Sequence, residues 1–249
     1  MARRGIGFIY VTVALDALAI GIVIPVFPSL IGSVTAFNAA QIATAVGVLA
    51  TLFALIQFCA APIIGALSDR FGRRPIVLAS NLSLGLDFAV MALAPNLAWL
   101  AIGRMLSGIA SGSGPAAYAY LADVTEPNRR ASAFGIMFGV QAAGATLGPA
   151  IGGLLSAADL RAPFWVAAAL CLLNAIYGLF VLPESLPRER RARFSWAHAN
   201  PISALAWLIR TYPRLAGMIA VAFLLSLASQ GANSITVIYT NYRYDWTPQ

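Results

Sequence analysis

The chain has 249 residues, of which 60% are hydrophobic and only 10% are charged, and its formal net charge is +7 at pH 7. Soluble domains carry about 25% charged residues, so this composition excludes a water-soluble globular protein and predicts an all-α membrane protein. All 16 basic residues are arginines, and their placement decides whether the positive charge serves a nucleic acid or a membrane.

Apolar segments long enough to cross a bilayer, about 20 residues each, recur along the whole chain. The predicted spanning helices are residues 5–30, 42–67, 75–94, 97–122, 131–157, 163–182 and 215–238. The first is expected to end at Pro25 and Pro28, because proline cannot continue a helix. It is too long for the apolar core of a cleavable signal peptide, so we interpret it as a spanning helix that stays in place.

Three regions follow from this pattern. Residues 1–183 hold six predicted spans and form the first region. Residues 184–213 are rich in arginine and are predicted to be a cytoplasmic linker, in which residues 202–209 form an amphipathic surface helix. Residues 214–249 hold the seventh span and are expected to begin a second half that this sequence does not include. Trp196 and Trp207 are the expected interfacial anchors of the linker.

The arginines fall mostly in the connections on one side of these helices. Short arginine-rich loops stay in the cytoplasm. The arginines assigned to that side are Arg3, Arg4, Arg70, Arg73, Arg74, Arg129, Arg130, Arg188, Arg190, Arg191, Arg193, Arg210 and Arg214. The protein is therefore expected to be a multi-pass protein of the inner (plasma) membrane with a cytoplasmic N-terminus. The same bias accounts for the net charge, so no nucleic-acid partner is expected.

The connection between the second and third predicted spans is a short hairpin, residues 65–78, with the sequence GALSDRFGRRPIVL. Gly72 is expected to allow a tight turn and Gly65 a close approach of two backbones. Arg70 and its neighbouring arginines hold the hairpin on the cytoplasmic side. A solvated loop that only sets the topology would explain these arginines, but it would not explain Asp69 and Gly65.

This hairpin resembles the G-x-L-[AS]-D-R-x-G-R-R/K-x-x-x-L signature of the major facilitator superfamily. The resemblance implies that superfamily's fold, an N-terminal six-helix bundle built as a 3+3 inverted repeat, here followed by a linker and the first helix of the second half. It also implies a transporter rather than an enzyme. By the same analogy, Asp69 and Arg73 would form a charge cluster with Asp123. That cluster would act as a conformational gate that locks the outward-facing state.

An internal repeat agrees with this architecture. Residues 62–67 (PIIGAL) match residues 149–154 (PAIGGL) at an offset of 87, and three predicted helices separate the two copies. The copies therefore lie at opposite membrane faces, as in inverted repeats. At the same offset Asp87 corresponds to Asn174, and Asp16 falls one residue from Arg104.

Asp16 and Asp87 are the strongest candidates for proton coupling and substrate contact. Asp16 lies about ten residues into the first predicted helix, roughly 15 Å deep in a core about 30 Å thick, and Asp87 has a similar depth. A carboxylate there costs at least about 2.5–3.5 kcal/mol, and protonation removes that cost. A group that gains and loses a proton as water access changes suits a proton-coupled transporter. The alternative is a structural carboxylate tied to Arg104 or to a hydroxyl group.

Arg104 opens the sequence RMLSG, which resembles the R-x-x-x-G signature of the fourth helix in this superfamily. The resemblance implies a part in proton transfer. The alternative is a fixed counter-ion that holds the first helix against the fourth. An arginine cannot be deprotonated, so either role requires a partner or a water-filled cavity.

The fifth predicted span contains GATLGPAIGG, which resembles the G-x-x-x-G-P-x-x-G-G motif of antiporters in this superfamily. Its defining residues are Gly144, Gly148, Pro149, Gly152 and Gly153. The resemblance favours efflux over uptake. The alternative is close helix packing alone, because small residues four apart let two helices approach each other.

Further segments narrow the resemblance to the tetracycline/proton antiporter group: residues 16–25, 57–74, 87–92, 162–165 and 182–185. It implies a proton-coupled antiporter that exports a small amphipathic drug. Tetracycline, chelated to a divalent cation, is the candidate substrate. The proton gradient would supply the energy, and no bound cofactor is expected. Residues 111–116 (SGSGPA) depart from the group, which usually reads closer to TGATGA there. The alternatives are a multidrug or metabolite exporter, a non-transporting fragment, or an intramembrane enzyme using Ser113 and His198.

Overall fold

The computed structural model describes residues 2–111, 113–192 and 200–244, and all regular structure within them is helical. The α-helices are α1 (Ala2–Val23), α2 (Phe27–Val34), α3 (Ala39–Phe71), α4 (Arg73–Leu93), α5 (Leu97–Ala110), α6 (Ser113–Val124), α7 (Arg130–Ala158), α8 (Ala162–Val181), α9 (Pro201–Thr211) and α10 (Ala216–Tyr244). Single 3₁₀ turns lie at Pro127–Arg129, Arg188–Arg190 and Pro213–Leu215. The all-α prediction is confirmed.

Within the described ranges, five helical segments are long and apolar enough to cross a membrane. They are Gly5–Val23, Ala39–Phe71, Arg73–Leu93, Pro127–Ala158 and Ala162–Val181. The predicted fourth span is not one continuous helix. Its residues form two helices, α5 and α6. The seventh extends further than predicted, to Tyr244, but only its Ala216–Ser229 part is counted as apolar, and that part is shorter than a span.

Proline explains both places where a predicted span is divided. The chain leaves α1 at Val23 and begins α2 at Phe27, with Pro28 in the first turn. The fourth span is broken after Ala110, and Pro115 lies in the first turn of α6. Proline is accepted at such a position because the first turn of a helix needs no intrahelical N–H donor.

Polar side chains mark the ends of three of the helices. Asn38 and Gln41 form a reciprocal capping box at the start of α3. Asn96 accepts a hydrogen bond from the backbone N–H of Trp99 and caps α5. Arg161 donates to the carbonyl oxygens of Ala92 and Ala94, at 3.0 and 3.1 Å, and so satisfies the end of α4. The sequence pattern did not assign a role to Arg161.

Successive spans run in opposite directions, so each end of the bundle collects a defined set of connections. We call the end that carries Gly72, Asp123 and Glu184 the hairpin end. Near the N-terminus, Gly5 packs against Tyr120 and Pro183, so α1 also begins there. The N-terminus and the arginine-rich hairpin therefore share one side of the bundle, as the arginine pattern predicts.

The helices are buried very unevenly. α1 packs mainly on α7, and α4 packs mainly on α8. In their most apolar windows, 56% of α1 and of α4 is buried, against 11% of α3 and 17% of the segment containing α7. Two core clusters fill the bundle, one around Phe88 and Phe164 and the other, near the hairpin end, around Tyr120 and Met137. The centre is thus built on α1 and α4, while α3 and α7 leave broad apolar faces uncovered.

Candidate functional site

A buried ion pair joins α4 to α5. Asp87 is fully buried, and its Oδ2 lies 3.9 Å from Nη2 of Arg104. The Ser107 hydroxyl donates to the same carboxylate oxygen, and Arg104 Nη2 donates to Ser107 Oγ at 3.3 Å. Arg104 and Ser107 are three residues apart and therefore share one face of α5. The R-x-x-x-G segment thus supplies both groups that hold the carboxylate.

The two charges are incompletely satisfied by the residues that the structure describes. Asp87 Oδ1 and Arg104 Nε are buried and have no hydrogen-bond partner there. A β-carbon at Gly103 would lie 3.0 Å from Asp87 Oδ1, so only glycine leaves the present space around this oxygen. A buried carboxylate with one oxygen held and the other without a donor suits a group that gains and loses a proton.

Two aromatic rings from other helices flank the guanidinium of Arg104. Its central carbon lies 5.0 Å from the centroid of Phe27, on α2, and 5.7 Å from that of Phe53, on α3. Such contacts stabilise a cation that is partly removed from water. Arg104 therefore connects α2, α3, α4 and α5 at one point.

Asp16 lies in a second polar group, formed by α1, α4 and α8. With the Asn81 amide oriented to satisfy its neighbours, its nitrogen lies 2.9 and 3.2 Å from the two carboxylate oxygens of Asp16. Its oxygen accepts from Nδ2 of Asn174 at 3.2 Å. The Thr12 hydroxyl donates to Oδ1 of Asn174 at 3.3 Å.

The two aspartates lie equally far along their helices. Asp16 is fourteen residues after Ala2, the first residue of α1, and Asp87 is fourteen residues after Arg73, the first residue of α4. For Arg104, one alternative was a counter-ion that holds the first helix against the fourth. Its close ion-pair partner is Asp87, so this pair joins the third predicted span, rather than the first, to the fourth.

The charge cluster expected at the hairpin is present in the structure. Arg73 lies between two carboxylates, with Nη1 2.6 Å from Asp69 and Nε 3.2 Å from Asp123. It also donates to the hydroxyl of buried Ser68 at 3.2 Å. Arg70 is exposed and stacks over the Phe71 ring instead. The cluster joins the end of α3, the start of α4 and the end of α6.

The two hairpin glycines differ from each other. Gly72 has a φ of 108°, a backbone conformation that favours glycine, which confirms the predicted turn. The close approach expected at Gly65 is wrong, because an added β-carbon there would meet nothing within 4 Å. Gly65 instead lines a cavity of about 240 Å³, together with Asp69, Arg73 and Pro115.

Glu184 reaches back to the hairpin from the end of α8. Its Oε1 accepts from the backbone N–H groups of Arg73, Ser185 and Leu186 at 2.9, 3.0 and 3.1 Å. Its Oε2 lies 3.6 Å from Arg191. A carboxylate at a helix N-terminus satisfies free N–H groups and complements the helix dipole. Glu184 therefore fastens the start of the linker to the start of α4.

We expect Glu184→Ala to loosen the linker without unfolding the bundle. The change leaves the backbone N–H groups that Glu184 holds without their acceptor and Arg191 without its partner, and each lost bond costs on the order of 1 kcal/mol. Trypsin cleavage after the linker arginines should therefore become faster in the variant. Glu189→Ala, in the same linker, is the matched control. Equal cleavage rates for both variants would contradict the fastening role.

The antiporter-like glycines form the seam between α7 and α1. A β-carbon at Gly144 would lie 2.7 Å from the Ala14 carbonyl oxygen, and one at Gly148 would lie 2.6 Å from the backbone of Gly21. Gly152 faces the Ile22 carbonyl in the same way, whereas an added β-carbon at Gly153 would meet nothing within 4 Å. Three of the four glycines therefore serve close helix packing. Pro149 lies inside α7.

The fold and these clusters agree with the comparison to known families. The family model described as Major Facilitator Superfamily matches residues 9–249. The chain belongs to the major facilitator superfamily. The superfamily consists of transporters, so the enzyme alternative is rejected. His198 and Trp196 lie outside the described residues, as does the Ser113 side chain.

Two relatives within the superfamily indicate the range of similar proteins. The tetracycline resistance protein, class C, of Escherichia coli is 43% identical over 95% of this chain and 59% of its own length. Multidrug resistance protein 2 of Bacillus subtilis is 27% identical over 93% of this chain and 57% of its own length. The chain thus spans less than two thirds of the length of either relative.

A solved structure supports the superfamily fold. The human organic anion transporter MFSD10 (TETRAN) superposes with a TM-score of 0.81 at 23% identity. The superposition covers 99% of this chain and 67% of that chain. At this identity the likeness concerns the fold alone.

Several site residues were missed by the sequence reasoning. Asn81 and Thr12 are buried and polar within apolar helices, and they carry no charge to set them apart in the sequence. Counting uncharged polar residues within the apolar segments would have found both. The contacts of Glu184 and of Phe27 have no local sequence signal, because they depend on which helices are neighbours.

Proposed function

We propose that the chain is the N-terminal half of a proton-coupled antiporter that exports a small amphipathic drug. The observation that carries this proposal is Asp87, a carboxylate wholly buried in an apolar bundle and held by Arg104 and Ser107. Ionisable groups inside spanning bundles mark ion and substrate pathways. Asp16 is the second acidic group, and the proton gradient is the energy source. The similarity to tetracycline resistance proteins supports a drug as the exported compound.

The transport cycle is proposed to be alternating access, in which two six-helix halves rock about a central cavity. The uncovered faces of α3 and α7 are where a second half would pack. The cluster of Asp69, Arg73 and Asp123 is the proposed gate, since it ties α3, α4 and α6 together at the hairpin end. Breaking these ion pairs would release the three helix ends during the switch.

Orientation and cargo are also part of the proposal. The hairpin end, which carries the N-terminus and most of the arginines, would face the cytoplasm in an inner membrane. Tetracycline is the proposed substrate because several relatives carry that name. A divalent cation carried with it stays a prediction from the sequence resemblance.

The decisive experiment measures drug-driven proton release from inverted vesicles. The completed protein joins this chain to the remaining part of the class C relative. We expect release on addition of tetracycline with Mg²⁺, and none from vesicles that contain the 249-residue chain alone. Release with other drugs but not with tetracycline would refute tetracycline as the substrate and would still support antiport. No release with any drug would refute antiport. Uptake by the chain alone would show that no second half is needed.

A multidrug exporter is the second candidate, favoured by the break in the fourth span. The helix α5 ends at Ala110 and α6 begins at Ser113, and Pro115 lines the cavity beside the gate. A proline at this position changes the shape of the cavity surface that a drug would contact. The similarity to a multidrug resistance protein points the same way. Release with several unrelated drugs in the same vesicles would support this candidate.

A further inference from the structure

The polar group around Asp16 forms a hydrogen-bonded chain with a fixed direction. The Thr12 hydroxyl donates to Asn174 Oδ1, so the other end of that amide, Nδ2, is left to donate. It donates to Asn81 Oδ1, which directs the Asn81 nitrogen toward the two oxygens of Asp16. A carboxylate only accepts hydrogen bonds, so the chain ends there with every polarity matched.

Burial makes this series of hydrogen bonds costly to disrupt. The exposed fractions of Thr12, Asn81 and Asn174 are 0%, 0% and 2%. A polar group left without a partner in such a place destabilises the fold. Four side chains from α1, α4 and α8 therefore hold each other in one arrangement, and Asp16 is the only one of these four that can carry a charge.

The internal repeat points to the same site, and this observation does not depend on the hydrogen bonds. At the offset of 87 residues, Asn174 is the counterpart of Asp87, and Asp16 is the near counterpart of Arg104. The contact between α4 and α5, Asp87 with Arg104, thus has its counterpart between α8 and α1, Asn174 with Asp16. In the first copy the two residues pair directly. In the second, the Asn81 amide lies between them.

We propose that Asn81 is a positioning residue for Asp16, and that Asn174 and Thr12 fix the orientation of its amide. This role deepens the proposed function, on which its importance for transport rests, by naming what holds the second acidic group. Asn81 presents its N–H groups to both carboxylate oxygens. The carboxylate of Asp16 on α1 is therefore held in a defined position against α4.

Infrared spectroscopy of the 249-residue chain in lipid nanodiscs tests this contact without any transport. The C=O stretching band of protonated Asp16 is assigned, at acidic pH, by its loss in Asp16→Asn. A carboxyl group that loses hydrogen bonds absorbs at higher wavenumber, so Asn81→Leu should shift the band upward. Ser80→Ala, a buried polar residue one position earlier on α4, is the matched control and should leave the band unchanged.

A second variant keeps the test decisive if Asn81→Leu fails to fold. Asn174→Leu removes the group that orients Asn81 and should shift the same band in the same direction by a smaller amount. An Asp16 band that stays in place in folded Asn81→Leu or Asn174→Leu protein would overturn the positioning role. The result is separate from the antiport assay, because band shifts without drug-driven proton release would reject the proposed function alone.

Discussion

Replacing Gly148 by alanine is expected to destabilise the bundle strongly, although it adds a single methyl group. The added β-carbon would lie 2.6 Å from both the Cα and the carbonyl carbon of Gly21. A backbone cannot move aside as a side-chain tip can, so α1 and α7 must separate along the seam that also contains Gly144. Overpacking of this kind costs about 1–3 kcal/mol or more. The unfolding temperature in detergent should fall, and Gly148→Leu should yield no folded protein.

Gly153 provides the matched control on the same helix. An added β-carbon there would meet nothing within 4 Å. Alanine is preferred to glycine in a helix interior by about 0.5–1 kcal/mol, so Gly153→Ala should be neutral or slightly stabilising. The two substitutions are chemically identical, but only Gly148→Ala is predicted to destabilise the bundle. Equal unfolding temperatures for both variants would contradict the close approach of α1 and α7.

The sequence predicted the architecture because each of its signals acts locally. Apolar length predicted the five long spanning helices, and proline explains where the first of them ends. The hairpin turn at Gly72 followed from the need of one short connection to reverse the chain, and its φ of 108° confirms this. The charge cluster was also predictable, because Asp69 and Arg73 are four residues apart and share a helix face.

Contacts between helices were beyond local signals. The sequence predicted for Arg104 either a part in proton transfer or a contact that holds the first helix against the fourth, and it left open which aspartate Arg104 pairs with; its close ion-pair partner is Asp87, on α4. Which residues face each other depends on the rotation of each helix, and a uniformly apolar helix has no polar face to reveal it. The error at Gly65 has a similar origin. The motif indicates that glycine is needed, but the described part of the chain leaves only a cavity beside it.

The isosteric change Asp87→Asn is expected to abolish drug-driven proton release by the completed transporter. An amide can still accept the hydrogen bond of Ser107, so the local shape is kept. It cannot take up and release a proton, and it removes the negative charge beside Arg104. Inverted vesicles carrying the variant should therefore show no proton signal with any drug. Asp159→Asn is the matched control, since Asp159 is exposed at the opposite end of the bundle from the hairpin.

Loss of proton release has to be separated from loss of the fold. A buried cation deprived of its partner costs about 3–5 kcal/mol, so Arg104 without Asp87 stresses the bundle. Drug–drug exchange across the vesicle membrane needs the cavity and the gate but no net proton movement. Asp87→Asn should retain that exchange while the proton signal disappears. If both activities vanish while the unfolding temperature is unchanged, Asp87 binds the drug itself. If proton release persists in the variant, Asp87 is a structural partner of Arg104 and the coupling group lies elsewhere, with Asp16 the next to test.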